Sequence, residues 1–258
     1  MRRGFSLVEL SIVLVILGLL TGGILAGQSL IRAAEIRSIS ADMLRYQSAI
    51  YTFRSKYMAL PGDMTNATSF WGAAGGTGTG SACFTVASTS TATCNGNGDG
   101  MVDTTAGAAS GDIWFYGERF HVWNHLANAG LIQGSYTGVT DSATNNIVRT
   151  SGKNEPSAKL PNTVFEFVSF SFTSSAYFFS TYLTGSIIHD LAFRPNYGGA
   201  APLTPEEAWG VDLKLDDGKP GLGQVFTHKK TSTSFPDCAT TDTAATAEYD
   251  VATKTKLC

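Results

Sequence analysis

The chain has 258 residues, enough for one sizeable domain or two small ones beside a helix, and its 28 glycines with abundant Ser and Thr point to a loop-rich one. Only 15% of the residues are charged and the net charge is −3, which leaves no electrostatic case for nucleic-acid binding. The four cysteines have no metal-ligand spacing and no CxxC, so disulfides in an oxidising compartment are favoured; of three connectivities, the sequence-local Cys83–Cys94 and Cys238–Cys258 are preferred.

The first element is an apolar helix. Between Glu9 and Arg32 no residue is charged, and residues 10–31 span roughly 33 Å as a helix, enough to cross a hydrocarbon core. Glu9 is the exception, since a carboxylate at that depth costs about 3 kcal/mol. Three readings compete. A secretory signal peptide would use Arg2, Arg3 and a small-residue site such as Thr21-Gly22-Gly23, but has no use for the acid. A plain single-span anchor also leaves Glu9 unexplained. The third is a short basic leader ending in Gly4, a new amino terminus at Phe5, and a carboxylate four residues further on.

Gly4-Phe5-Ser6-Leu7-Val8-Glu9 resembles the type IV prepilin and type II secretion pseudopilin family at each of those positions. The resemblance implies cleavage after Gly4 and N-methylation of Phe5 by an inner-membrane prepilin peptidase/methyltransferase. It also implies that Glu9 pairs with the amine of a neighbouring subunit during assembly. Gly4 offers no side chain to obstruct the protease, the Phe5 amine stays cationic near neutral pH, and burying Glu9 against an amine costs far less than burying it alone. Loss of Arg2 and Arg3 would take the net charge to −5.

Gly18-x-x-x-Gly22 and Gly23-x-x-x-Gly27 place small residues where helices can approach closely, although glycines are common in membrane spans generally. Beyond Arg32 the helix is expected to continue in water. Ile36, Ile39, Met43, Tyr46, Ile50, Phe53 and Tyr57 follow at alternating spacings of 3 and 4, a stripe whose aromatic half suits packing on a sheet. Leu60-Pro61-Gly62-Asp63 ends it. The result is one helix of about 50 residues, roughly 75 Å long.

Residues 62–111 are irregular. The glycine-rich loop 72–80 lacks a following Gly-Lys-Ser/Thr, so phosphate binding has little support, and Asn66-Ala67-Thr68 is a glycosylation sequon by pattern only. After Cys94, Asn95, Asn97, Asp99, Met101 and Asp103 match most of a calcium loop, with Ala106 where a bidentate Glu belongs. Weak calcium binding, with Asp112 or Glu118 as substitute ligands, competes with a polar glycine turn.

A helix is expected over 112–129, capped by Asp112 and stopped by Gly130. On it, Glu118, His121 and His125 share one face, read as solvated rather than metal-binding. Strands follow. Residues 164–172 alternate, a second aromatic run covers 176–183 with Thr173-Ser174-Ser175 as the hairpin between them, and 187–193 forms a third strand. Several aromatic positions on both faces suggest that one face covers the long helix and the other lies under loops. Thr204-Pro205-Glu206-Glu207 opens a short helix that breaks at Asp216-Asp217-Gly218. The 209–223 segment resembles one found in some larger pilin-like heads, without an assigned role. Asp212, Asp216 and Asp217 suit either a cation or a helix end. Val225-Phe226-Thr227 returns as an edge strand, and a polar tail is tied back by Cys238–Cys258.

No catalytic constellation emerges, so an enzyme is not expected. The chain reads as an α+β, pilin-like protein: a leader (1–4), a membrane and filament-core helix (5–31), and a head (32–258). The head comprises an amphipathic helix (32–58), the loop region 62–111, the helix 112–129, a sheet region (163–228) and the disulfide-bounded end 238–258. The expected partners are identical or related pilin subunits, the peptidase, an inner-membrane assembly platform and the membrane. A single-pass inner-membrane precursor would pass into a periplasmic or extracellular filament. No cofactor is required, with calcium the one candidate. The alternative is a membrane-tethered binding module that never polymerises.

Overall fold

The computed structural model describes residues 6–76, 78, 83, 86–102, 118–141, 148–170, 179–183, 188–196, 199–227, 238–241 and 243–258. Helix α1, Leu7–Tyr57, is 51 residues long, about 76 Å at 1.5 Å per residue. Ser6 caps it: its hydroxyl accepts from Val8 N–H at 3.3 Å while Ser6 N–H donates to Glu9 Oε2 at 2.9 Å, a reciprocal capping box. Met58 ends it in a left-handed conformation, its N–H donating to the Arg54 carbonyl at 2.9 Å.

Among the described residues, α1 is buried against the head along its carboxyl-terminal half. Ile39, Met43, Tyr46, Ala49, Ile50 and Phe53 are buried there, the stripe that the 3-and-4 spacing predicts, while Ile36 and Tyr57 lie at its margins. Against it pack α3, Glu118–Asn128, and the sheet. The Tyr46 ring sits between Trp123 of α3, at 5.2 Å, and Phe165 of the sheet, at 5.0 Å. The short α2, Ala67–Trp71, extends the aromatic packing at the far end, with Trp71 5.5 Å from Tyr57.

Four antiparallel strands form the sheet: β1 Thr163–Phe170, β2 Phe179–Leu183, β3 Ile188–Pro195 and β4 Val225–Phe226, in the order β1-β3-β2-β4. This corrects the expected hairpin between the first two strands. β3 pairs with β1 from Thr163↔Pro195 to Phe170↔Ile188 and with β2 on its other edge. β1 and β2 are therefore parallel to each other, and parallel strands need a crossover rather than a tight turn. Alternation identifies strands without naming their neighbours. Thr173, Ser174 and Ser175 lie outside the described residues, as do Asp112 and residues 184–187.

β1 is buried on both faces. Phe165 and Phe167 join α1 in the main core, and Val164, Glu166 and Val168 are buried on the other side. There Glu166 pairs with Arg119, with Arg194 at 2.7 Å and with Arg149 at 3.4 Å. The same arginines surround the buried Glu155, whose carboxyl burial pushes up to about 7 against their pull.

Helix α4, Pro205–Leu215, starts with a second capping box, in which Thr204 Oγ1 accepts from Glu207 N–H and Glu207 Oε2 from Thr204 N–H. Disulfides join Cys83 to Cys94 and Cys238 to Cys258. The second ties the chain end beside Leu203, whose carbonyl accepts from Leu257 and Cys258 N–H at 2.9 and 3.0 Å.

Candidate functional site

The candidate site is the free half of α1 with its root in the head. From Leu7 to Ile31 nearly every residue is exposed, including Leu7, Leu14, Leu19, Leu25 and Leu30. Helix α1 contains an 18-residue window of mean hydropathy 2.4 with no part of it buried, long and apolar enough to cross a membrane. The four glycines Gly18, Gly22, Gly23 and Gly27 have open space where a Cβ would lie.

The root is defined by one side chain. Arg32, the first charge after Glu9, donates from Nε to Glu207 Oε1 and from Nη2 to Glu207 Oε2, both at 2.7 Å, and from Nη2 to the Pro202 carbonyl at 2.9 Å. Glu207 thereby caps α4 and grips α1 with one carboxylate; burial pushes its carboxyl up, and the hydrogen bonds from Arg32 and Thr204 together with the charges of Arg32 and Lys256 bring it below the usual range. The sequence pattern predicts the cap and not the grip, because the partner is 175 positions away.

At the other end Gly4 and Phe5 lie outside the described residues. Glu9 lies on the exposed helix with its carboxylate on Ser6 N–H. Ser6-Leu7-Val8-Glu9 carries the Ser-x-x-Glu signal for this cap within the same six residues that resemble the prepilin motif.

The loop after Cys94, which suits weak calcium binding or a polar glycine turn, is organised around Asp63. Asn97 Oδ1 accepts from Asp99 N–H and Asp99 Oδ1 from Met101 N–H, so these two side chains build turns, while Asn95 Oδ1 reaches across to accept from Thr68 N–H in the first turn of α2. The buried Asp63 accepts from Gly98 N–H at 2.6 Å and Gly100 N–H at 2.9 Å. Burial is the largest influence on Asp63 and holds its carboxyl above the usual range. Carboxylate oxygens of Asp63, Asp99 and Glu118 come within 4.8 Å of one another; Asp103 lies outside the described residues. Gly96 is required here, since a Cβ would stand 2.3 Å from the Asp63 Cα.

Glu118, His121 and His125 are buried, which corrects the solvated-face reading. His125 Nδ1 accepts from Gly62 N–H at 2.9 Å and its Nε2 lies 3.0 Å from the Cys94 carbonyl, while His121 Nε2 lies 3.3 Å from the Cys83 carbonyl. His125 is thus occupied by main chain at both the disulfide and the turn after α1, whereas His121 meets main chain through Nε2 at the disulfide alone and its buried Nδ1 has no hydrogen-bond partner among the described residues. Burial is the main reason their pKa values fall, to about 4 for His121 and about 3 for His125. Loop backbone supplies the polar partners that solvent would have supplied, and no local pattern announces that.

Asp216 accepts from Gln224 and Val225 N–H, and Asp212 from Tyr249 O–H at 2.8 Å and Gly218 N–H at 3.2 Å. The acidic end of α4 therefore brackets the turn leading to β4 and ties the disulfide-bounded tail to the helix.

Residues 1–25 match the family model of the prokaryotic N-terminal methylation motif. No curated protein and no solved structure matches the chain. The chain is an α+β, pilin-like protein, and the motif at its start is of the type IV prepilin kind. Motif and exposed apolar helix together suggest a type IV pilin-like precursor and fit a membrane-anchored one.

Proposed function

We propose that this protein is a structural subunit, a pilin, minor pilin or pseudopilin, of a type IV pilus-like or type II secretion filament. A prepilin peptidase cuts after Gly4 and methylates Phe5. An inner-membrane assembly platform then lifts the subunit from the membrane into a periplasmic or extracellular filament of identical or related subunits. Glu9, released from its capping bond, meets the amine of a neighbouring Phe5 as the helices pack. The reading is carried by the coincidence of the methylation motif with an apolar helix that is exposed almost throughout from Leu7 to Ile31. A carboxylate that has a local partner in the free subunit and a cationic one in the assembly changes partner rather than losing one, which keeps its desolvation cost down.

Mass spectrometry of the amino-terminal peptide of purified filaments tests the reading. N-methyl-Phe5 is the expected terminus. A Gly4 substitution leaves the precursor uncut, and Glu9→Ala is processed yet excluded from filaments. Normal incorporation of Glu9→Ala would overturn the assembly role. The competing reading, a tethered module that never polymerises, has the carboxylates of Asp63, Asp99 and Glu118 in its favour. It predicts calcium heat from the head at millimolar calcium and no filament in any condition.

A further inference from the structure

Cys83 and Cys94 sit with Ala74 and Ala92 in a small apolar core of their own, apart from the main one. His121 of α3 borders it. The two sulfurs and a ring nitrogen of His121 come within 4.8 Å of one another, and all three residues are buried. His121 Nε2 lies 3.3 Å from the Cys83 carbonyl, and its buried Nδ1 has no hydrogen-bond partner among the described residues. Cysteine spacing does not announce this group, because the third member comes from another element. Among the described residues no such group includes Cys238 or Cys258.

We propose that the dithiol form of Cys83 and Cys94 binds a zinc ion together with His121, as an alternative to the disulfide. Two thiolates and an imidazole suit a borderline-soft cation over calcium or magnesium. Opening the disulfide leaves both cysteines beside His121, because other bonds hold their main chain. Thr93 N–H donates to the Gly72 carbonyl at 2.9 Å, Ala74 N–H to the Thr93 carbonyl at 2.8 Å and Asn95 N–H to the Gly78 carbonyl at 2.9 Å. The Cys94 carbonyl faces His125 Nε2 at 3.0 Å, and the Cys83 carbonyl faces His121. The two Cα atoms are 5.8 Å apart. Thiolates on one tetrahedral zinc ion stand about 3.8 Å apart, a separation that rotation of the two side chains supplies. A water takes the fourth position, since His125, its ring 6.0 Å from that of His121, meets main chain through both nitrogens.

A newly made chain carries both cysteines as thiols. Zinc binding displaces the two thiol protons to solvent and moves no electron. Disulfide formation from the zinc form is a two-electron oxidation, and a dithiol carrier in its disulfide form is the oxidant. The carrier accepts both electrons by thiol–disulfide exchange, takes two protons from solvent to become a dithiol, and the zinc leaves as the free ion. Ion and disulfide close the same 83–94 loop, so that loop is held in either redox state.

Full-length chain in detergent, reduced anaerobically with a phosphine and stripped of metal, tests the site by titration with cobalt and then zinc. One equivalent of cobalt should give thiolate-to-metal charge-transfer absorption with the visible bands of tetrahedral cobalt, and zinc should abolish both. Zinc should slow alkylation of Cys83 and Cys94, mapped by mass spectrometry, about tenfold or more relative to Cys238 and Cys258. His121→Phe, a ring without a ligating nitrogen, should weaken cobalt binding about tenfold or more, whereas Cys238→Ser with Cys258→Ser should leave it unchanged. Absence of the absorption in the wild-type chain, protection shared equally by all four cysteines, or undiminished binding by His121→Phe overturns the site. The protection pattern is read on the wild-type chain, so it decides the matter even where His121→Phe does not fold.

Discussion

The two halves of α1 share one unbroken backbone and live in different surroundings. From Leu7 to Ile31 the helix is exposed almost throughout among the described residues, and from Ile39 to Phe53 one face closes the core of the head. Helical geometry is thus local, supplied by hydrogen bonds within the segment, whereas the environment of each half is set by what its side chains offer. Apolar residues all round leave the first half in need of lipid or another helix; an apolar stripe with polar flanks gives the second half a domain to hold. Arg32 marks the boundary, as the first charge after the apolar run and the first side chain anchored in the head.

Substitution along α1 separates the halves most sharply. Phe53→Ala removes a buried ring packed 4.5 Å from Tyr57 and should cost the head about 3–5 kcal/mol in urea unfolding. Leu14→Ala, in the exposed half, should leave that curve unmoved. Equal effects would mean that the anchor contributes to the head's stability. Replacing Cys238 and Cys258, which close a loop of sequence separation 20, by serine should cost about 3 kcal/mol and release the tail from Leu203 without altering insertion of α1. Limited proteolysis of the tail reads that release.

Acid acts on the head alone. The buried histidines have pKa values below the ordinary value of 6.5. In the unfolded chain they bind protons from about pH 6.5 downward while the folded head stays neutral there, so their contribution is intact above 6.5 and shrinks as pH falls toward about 4. Each withdraws up to about 1.4 kcal/mol per pH unit. Asp212, pushed up to about 6, and Glu155, up to about 7, give the opposite slope, favouring the fold as pH falls through those values. His125→Gln isolates the histidine part: its stability deficit should narrow between pH 7 and pH 4.5, and a deficit independent of pH would refute the assignment. The smallest effect is expected at the junction, where Glu207→Gln should cost about 1 kcal/mol, because the Arg32 pair is only partly buried. Its signature is a loosened helix root, read as a longer distance spread between spin labels at positions 25 and 213.

Much of the architecture was legible. The 3-and-4 stripe marks the buried face of α1, Pro61-Gly62 marks its end, and Thr204-Pro205 marks the start of α4, each being a local rule with a local cause. Gly62 has a tertiary reason besides, since a Cβ there would meet the Glu118 carbonyl at 2.6 Å. Strand order was not legible, because β3 lies between β1 and β2 and alternation carries no record of neighbours. Nor was the burial of His121 and His125, whose partners are carbonyls 38 and 31 positions away, respectively.

The amino-acid sequence by itself determined the motif at the amino terminus, the length, polarity and buried stripe of α1, and the capping-box patterns at the starts of α1 and α4, since all depend on residues within a few turns of each other. Only the tertiary structure decided that Glu207 holds Arg32, that Asp63 organises the loop after Cys94, and that two histidines serve the backbone rather than solvent. Those partners meet through chain closure over tens to hundreds of positions, where contact follows from packing rather than spacing.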